Sequence, residues 1–135
     1  MQNRELASDY VHRAEVRLKA LDVLAEAESW ADVVRESQEI VELALKGLLG
    51  ACGIDPPRIH DVSDVLVSES ERLPAEVRDE LDRLTEVSRQ LRRDRELAFY
   101  GAEDLTPTGF YSKQDAERAR EGAREVVRAV RPHVA

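Results

Sequence analysis

Three arginines, a carboxylate and a tyrosine fall close together in the stretch RRDRELAFYG: Arg92, Arg93, Asp94, Arg95 and Tyr100. A guanidinium is a planar fork of donors that matches phosphate oxygens. On a helix Arg92 and Arg95 point the same way, and Arg92 stands one turn before Glu96 as an i,i+4 pair. Two readings fit these residues. One is a solvated helix C-terminus, where positive charge complements the dipole. The other is a patch that binds phosphate or a partner. Tyr100 supplies a proton-transfer candidate, but an unperturbed phenol titrates near 10 and an imidazole near 6.5, so tyrosine is a poor base at neutral pH. Neighbouring arginines would help by stabilising phenolate.

A second constellation lies upstream. Gln38 and Glu42 are four apart in an otherwise apolar helix, and Lys46 follows four later. If that face is buried, both polar groups need partners. Glu42 can pair with Lys46 as a surface i,i+4 bridge or hold an arginine of the later stretch. His60 stands in the loop GIDPPRIHD. Its structural readings are a cap for the following helix or a hydrogen bond tying the loop to a neighbour. Asp61 and Asp64 suit the N-terminus of that helix better than a metal, and no cofactor or metal set is expected. His12 is expected on a solvent face. Cys52 is the lone cysteine, which excludes an intramolecular disulfide and a multi-cysteine zinc site and suits a small buried hydrophobe.

Helices must carry these residues. Charged residues are 36 % of the chain, apolar residues 42 % and aromatics 4 %, the profile of an all-helical protein. The 135 residues suit a single domain spanning 1–135. A net charge of −8 excludes a generally basic nucleic-acid surface while leaving room for a local basic patch. The polar start and the lack of a long apolar run lead us to expect a cytoplasmic protein with no membrane contact.

Leu6, Tyr10, Ala14, Leu18, Leu21 and Leu24 form the apolar stripe of a first helix. Ser29 is a candidate cap for a second, about 31–51, whose apolar residues cover more than one face and make it central. Gly53 and Pro56-Pro57 end it. A short helix follows at about 62–69. A fourth begins with Pro74 at its first position, carries Val77, Leu81, Leu84, Ser88 and Leu91, and runs through RRDRELAFYG to Gly101. Phe99 is expected in the core. Residues 102–111 read as an irregular connection. Ser112 and Asp115 form a capping box for the last helix, striped by Ala116, Ala119, Ala123, Val126, Val127 and Val130. The expected fold is an all-α, up-and-down bundle of four long helices and one short.

The central helix RESQEIVELALKGLLGACGI, the loop and short helix IHDVSDVL, and the later RELAFYG with YSKQDAERA resemble the HEPN domain family, in the prokaryotic branch paired with minimal nucleotidyltransferases. The resemblance spans about residues 5–131. It implies a homodimer of helical bundles, and in active members a metal-independent ribonuclease, often a toxin neutralised by the nucleotidyltransferase. It also implies a motif of arginine, roughly four to six residues, then histidine. Here the window after the arginines holds Leu97, Ala98, Phe99, Tyr100, Gly101 and Ala102, with no histidine. The bare pattern recurs only at Arg128 and His133, in the last helix and after Pro132. Related toxins can carry an adenylylated tyrosine near the motif, and Tyr100 is the nearest candidate. The expectation is a binding module, non-catalytic or weakly active, working with a nucleotidyltransferase partner. The alternatives are a ribonuclease using Arg95 on phosphate, with Tyr100 or another residue as base, and a small-ligand or nucleotide-binding bundle.

Overall fold

Helix α2 (Trp30–Ala51) is buried along most of its circumference, from Ala31 and Val33 through Ile40, Val41, Ala44 and Leu45 to Leu48 and Leu49. Such a helix needs neighbours on several sides. In the computed structural model it has them: α1 (Gln2–Glu26), α5 (Leu81–Tyr100) and α7 (Lys113–Val130) all pack against it, α1 most extensively. The structure describes residues 2–100 and 106–134, with side chains for 4–94, 106 and 109–134. Short helices α3 (Ser63–Ser68), α4 (Ala75–Asp79) and α6 (Pro107–Phe110) fill the connections, with 3-10 turns at Ser70–Arg72 and Arg131–His133. Four long helices therefore form the expected all-α bundle.

The same turn closes α1 and α2. After α1, the Glu28 N–H donates to the Ala25 carbonyl (3.0 Å) and the Ser29 N–H to the Leu24 carbonyl (3.0 Å), with Glu28 at φ 58°. After α2, Gly53 N–H reaches the Gly50 carbonyl (3.1 Å) and Ile54 N–H the Leu49 carbonyl (2.8 Å), with Gly53 at φ 76°. Both are Schellman closures, which need one left-handed residue. Glycine meets that need without cost; Glu28 places a Cβ in a conformation that L-residues avoid. Ser29 occupies the N-cap position of α2, but its hydroxyl donates to Asp32 Oδ2 (2.6 Å) instead of accepting from the backbone.

The capping box of α7 is formed: Ser112 Oγ accepts from the Asp115 N–H (3.1 Å), and Asp115 Oδ2 accepts from the Ser112 N–H (2.9 Å). The expected stripe of α7 is buried throughout, with Gly122 added to it. On α1 the buried row is Ala7, Val11, Ala14 and Leu21, whereas Leu6 is exposed, because α2 covers the line one residue further on. The close contact there is at Gly47, where a Cβ would lie 2.7 Å from Val11 Cγ2 and 3.0 Å from the Ala7 carbonyl.

Three further expectations change. Pro74 is the N-cap of α4 in extended conformation, not its first helical residue. The expected single helix from Pro74 is two, α4 and α5, parted at Glu80. No glycine or proline breaks it; α4 packs on α7 as well as on α5, which a straight continuation of α5 would not do at both places. Part of the connection expected to be irregular forms α6. Gly101, residues 102–105 and the side chain of Phe99 lie outside the described residues.

Glu28→Gly should raise stability by about 1 kcal/mol and Gly53→Ala lower it by a similar amount, measured as opposite shifts of the urea midpoint. Gly47→Val should lower it by about 1–3 kcal/mol, because α1 must move off α2 to admit the side chain.

Candidate functional site

On α2 the polar side chains Gln38, Glu42 and Lys46 form one row, each a turn from the next. Glu42 is the hub. Its Oε2 accepts from Lys46 Nζ (2.9 Å), and its Oε1 accepts from Gln38 Nε2 (3.1 Å) and faces His60 Nδ1 at 2.9 Å. The side chains of Glu42 and Lys46 are only 13 % and 15 % exposed, so this is not the expected surface bridge. Burial pushes the Glu42 carboxyl up, but hydrogen bonds from Lys46, His60 and Gln38 outweigh it and leave the group below its ordinary range. Gln38 is buried and also donates to the His60 carbonyl (3.4 Å). Its own amide oxygen finds no donor among the described residues.

Asp61 is a second hub. Its Oδ1 accepts from the Ser63 N–H (2.9 Å), from the Ser63 hydroxyl, and from the Ser88 hydroxyl of α5 (2.8 Å). Burial raises its carboxyl, and the hydrogen bonds from Ser63 and Ser88 more than reverse this. Asp61 thus supports the start of α3 as an Asx turn does. His60 does not cap the helix; it ties the loop to α2. Asp64 meets Arg89 of α5 at 3.3 Å. Residues 60–64 are therefore stitched to α2 on one side and to α5 on the other.

The arginine stretch follows directly. Thr85, Ser88 and Arg92 lie on one line of α5, so Arg92 stands one turn beyond the serine that holds Asp61. Arg92 is half-buried, and Arg93 is exposed with Nη2 on Gln90 Oε1 (2.6 Å). Gln90 in turn donates to Asp94 Oδ1 (3.0 Å). The Asp94 carbonyl accepts from the Tyr111 hydroxyl, which anchors the segment before α7. Tyr111 meets Phe110 edge-on at 4.9 Å. Burial, then the charges of Asp94 and Asp115, push its phenol well above the ordinary range, so it is no base. The side chains of Arg95 and Tyr100 lie outside the described residues.

The remaining candidates stand apart. His12 is exposed on α1, and His133 sits in the 3-10 turn after α7. Cys52 is half-buried, its thiol pushed up by burial. Among the described residues no three His, Cys, Asp or Glu side chains gather as a metal site, and no helix is long and apolar enough to cross a membrane. A groove of about 420 Å³ between α5 and α7 is lined by both signs of charge, including Arg83, Asp94, Asp115 and Arg118. Ser63 and Ser88 were not among the expected site residues. A serine on an apolar stripe was the available signal, since a buried hydroxyl requires a partner.

Asp61 and Glu42 have lowered folded-state carboxyl pKa values, so each contributes stability that is full above the unfolded value of about 4 and lost as pH falls through the folded one. Asp61→Asn should cost about 1–3 kcal/mol at pH 7 and much less at pH 3, read from urea midpoints at both pH values.

Neither curated proteins nor solved structures yielded a significant match to this chain. A family model does match, that of the HEPN domain, over residues 7–133, from the first buried turn of α1 to the turn that follows α7. The match takes in all four long helices and both polar hubs, and the chain belongs to the HEPN domain family, whose members are nucleotide-binding or ribonuclease-like.

Proposed function

We propose that this chain is a HEPN module that binds RNA or nucleotide phosphates through the arginines of the α5 stretch RRDRELAFYG, Arg92 and Arg93 among the described side chains and Arg95 from the sequence. It works as a homodimer with a minimal nucleotidyltransferase partner, in a toxin–antitoxin-like or nucleotide-linked system. Its ribonuclease activity is weak or absent, because no histidine follows the arginines at the family's distance. The observation that carries the reading is the placement of Arg92 and Arg93. They follow, by one turn, the α5 residue Ser88 whose hydroxyl donates to Asp61 of the loop, so the stretch begins beside a segment tied to the rest of the bundle. A rigid support of this kind suits a binding surface. Leu6, Val16 and Val23 are exposed on α1, apolar surface consistent with pairing of two copies.

The first test is co-expression with the product of the neighbouring gene. Co-purification supports the partnership, and a monomer of 15.2 kDa that captures no such protein removes it. The second is the salt dependence of binding to a short single-stranded RNA, followed by fluorescence anisotropy. Arg92→Ala and Arg93→Ala should each weaken binding across sequences and flatten the log–log salt slope by about 0.7 per lost phosphate contact. No binding by the wild type at low salt overturns the phosphate reading.

A further inference from the structure

We infer that the cavity where the last turns of α1 meet the first turns of α2 and α7 is a binding site for a zwitterionic small molecule, a free amino acid with an apolar side chain. It shares no residue with the α5 arginine stretch and stands independently of the phosphate reading.

The cavity holds about 380 Å³, the size of a small-ligand site. Its apolar wall is Trp30 with Ala25, Val33 and Ala116. Val33 and Ala116 are closed off from water, whereas Trp30 is only half-buried. An indole left partly uncovered at a cavity offers a rigid apolar surface to a ligand's side chain.

The polar wall carries both signs of charge. Arg120 Nη2 donates to Asp22 Oδ1, and Arg124 Nη2 lies 3.6 Å from the same oxygen. One carboxylate thus faces two guanidiniums, which leaves positive charge in excess there. The Arg120 side chain is 23 % exposed, and its Nε–H is buried with no acceptor among the described residues. Asp22 therefore does not fill the donor capacity of this guanidinium, and an unfilled donor is costly. Lys113 adds a second cation to the lining, and Glu26 and Glu117 add two exposed carboxylates. None of these three side chains has a partner among the described residues.

These charges select the ligand. A simple anion would meet Arg120 and Lys113 but also Glu26 and Glu117, and a simple cation would meet the reverse conflict. A molecule that carries a carboxylate and an ammonium together answers both. Its carboxylate accepts from Arg120 and Lys113, and its ammonium donates to Glu26 and Glu117. Its side chain lies on Trp30 and Ala116, where burial of apolar surface adds to charge pairs that an open rim makes weak.

The emission of Trp30 reports on the site directly, since the chain has no other tryptophan. L-leucine and L-phenylalanine, titrated to millimolar concentration into the full chain, should each change that emission saturably and raise the melting temperature. Leucinamide, which lacks the carboxylate, and N-acetyl-leucine, which lacks the ammonium, should bind at least about tenfold more weakly. Lys113→Gln and Glu117→Gln replace exposed side chains and should fold as the wild type does. Each should raise the dissociation constant for leucine about tenfold. No response to either amino acid, in emission or in melting temperature, overturns the inference. Equal binding of leucinamide or N-acetyl-leucine overturns the zwitterion assignment. Undiminished leucine binding by both variants places the ligand elsewhere and overturns the site.

Discussion

Helix α2 is apolar on more than one face, and covering it is the constraint from which the rest of the bundle follows. A single partner helix would leave Val33, Ile40 or Leu48 in water. Packing α1, α5 and α7 around it removes all three. At about 25 cal/mol per Å² of apolar surface, this burial is the main favourable contribution to folding. It also creates a difficulty. The row Gln38, Glu42 and Lys46 lies on the same helix and is drawn inward with it, and an ionised carboxylate in such a place is costly unless it is fully paired.

The loop from Gly53 to Val62 resolves that difficulty. Its left-handed glycine ends α2, and the chain returns to place His60 on Glu42 and Asp61 on Ser88. Each hub satisfies polar groups that burial would otherwise strand, and each joins two segments remote in sequence. Networks of this kind define one arrangement of elements among several that apolar packing alone would accept. The arginine stretch of α5 is held in place by the same contacts.

Much of the fold was legible. Helical periodicity identified all four long helices, and the small residues of α7, the Ser112–Asp115 box and Gly53 were each readable from local chemistry. Less of the site was. The pairing of Glu42 with Lys46 follows from spacing along one helix, but its burial does not, because exposure depends on what the loop places over it. His60 as a tie between loop and helix was one of two structural readings, and its choice of Glu42 over the helix start depended on where the loop turns. Ser88 as the partner of Asp61 was not anticipated, since 27 residues separate them. The break at Glu80 was equally hidden, for nothing in the local sequence disfavours a helix there.

Sequence alone determined the class of the fold, the order of its four long helices, and the absence of a histidine after the arginines of α5. These are one-dimensional properties: periodicity, turn residues and motif spacing act within a few residues of one another. Tertiary structure decided which polar groups meet. Glu42 with His60, Asp61 with Ser88 and Asp64 with Arg89 are contacts across helices, fixed by how α2 and α5 pack and by the path of the loop between them.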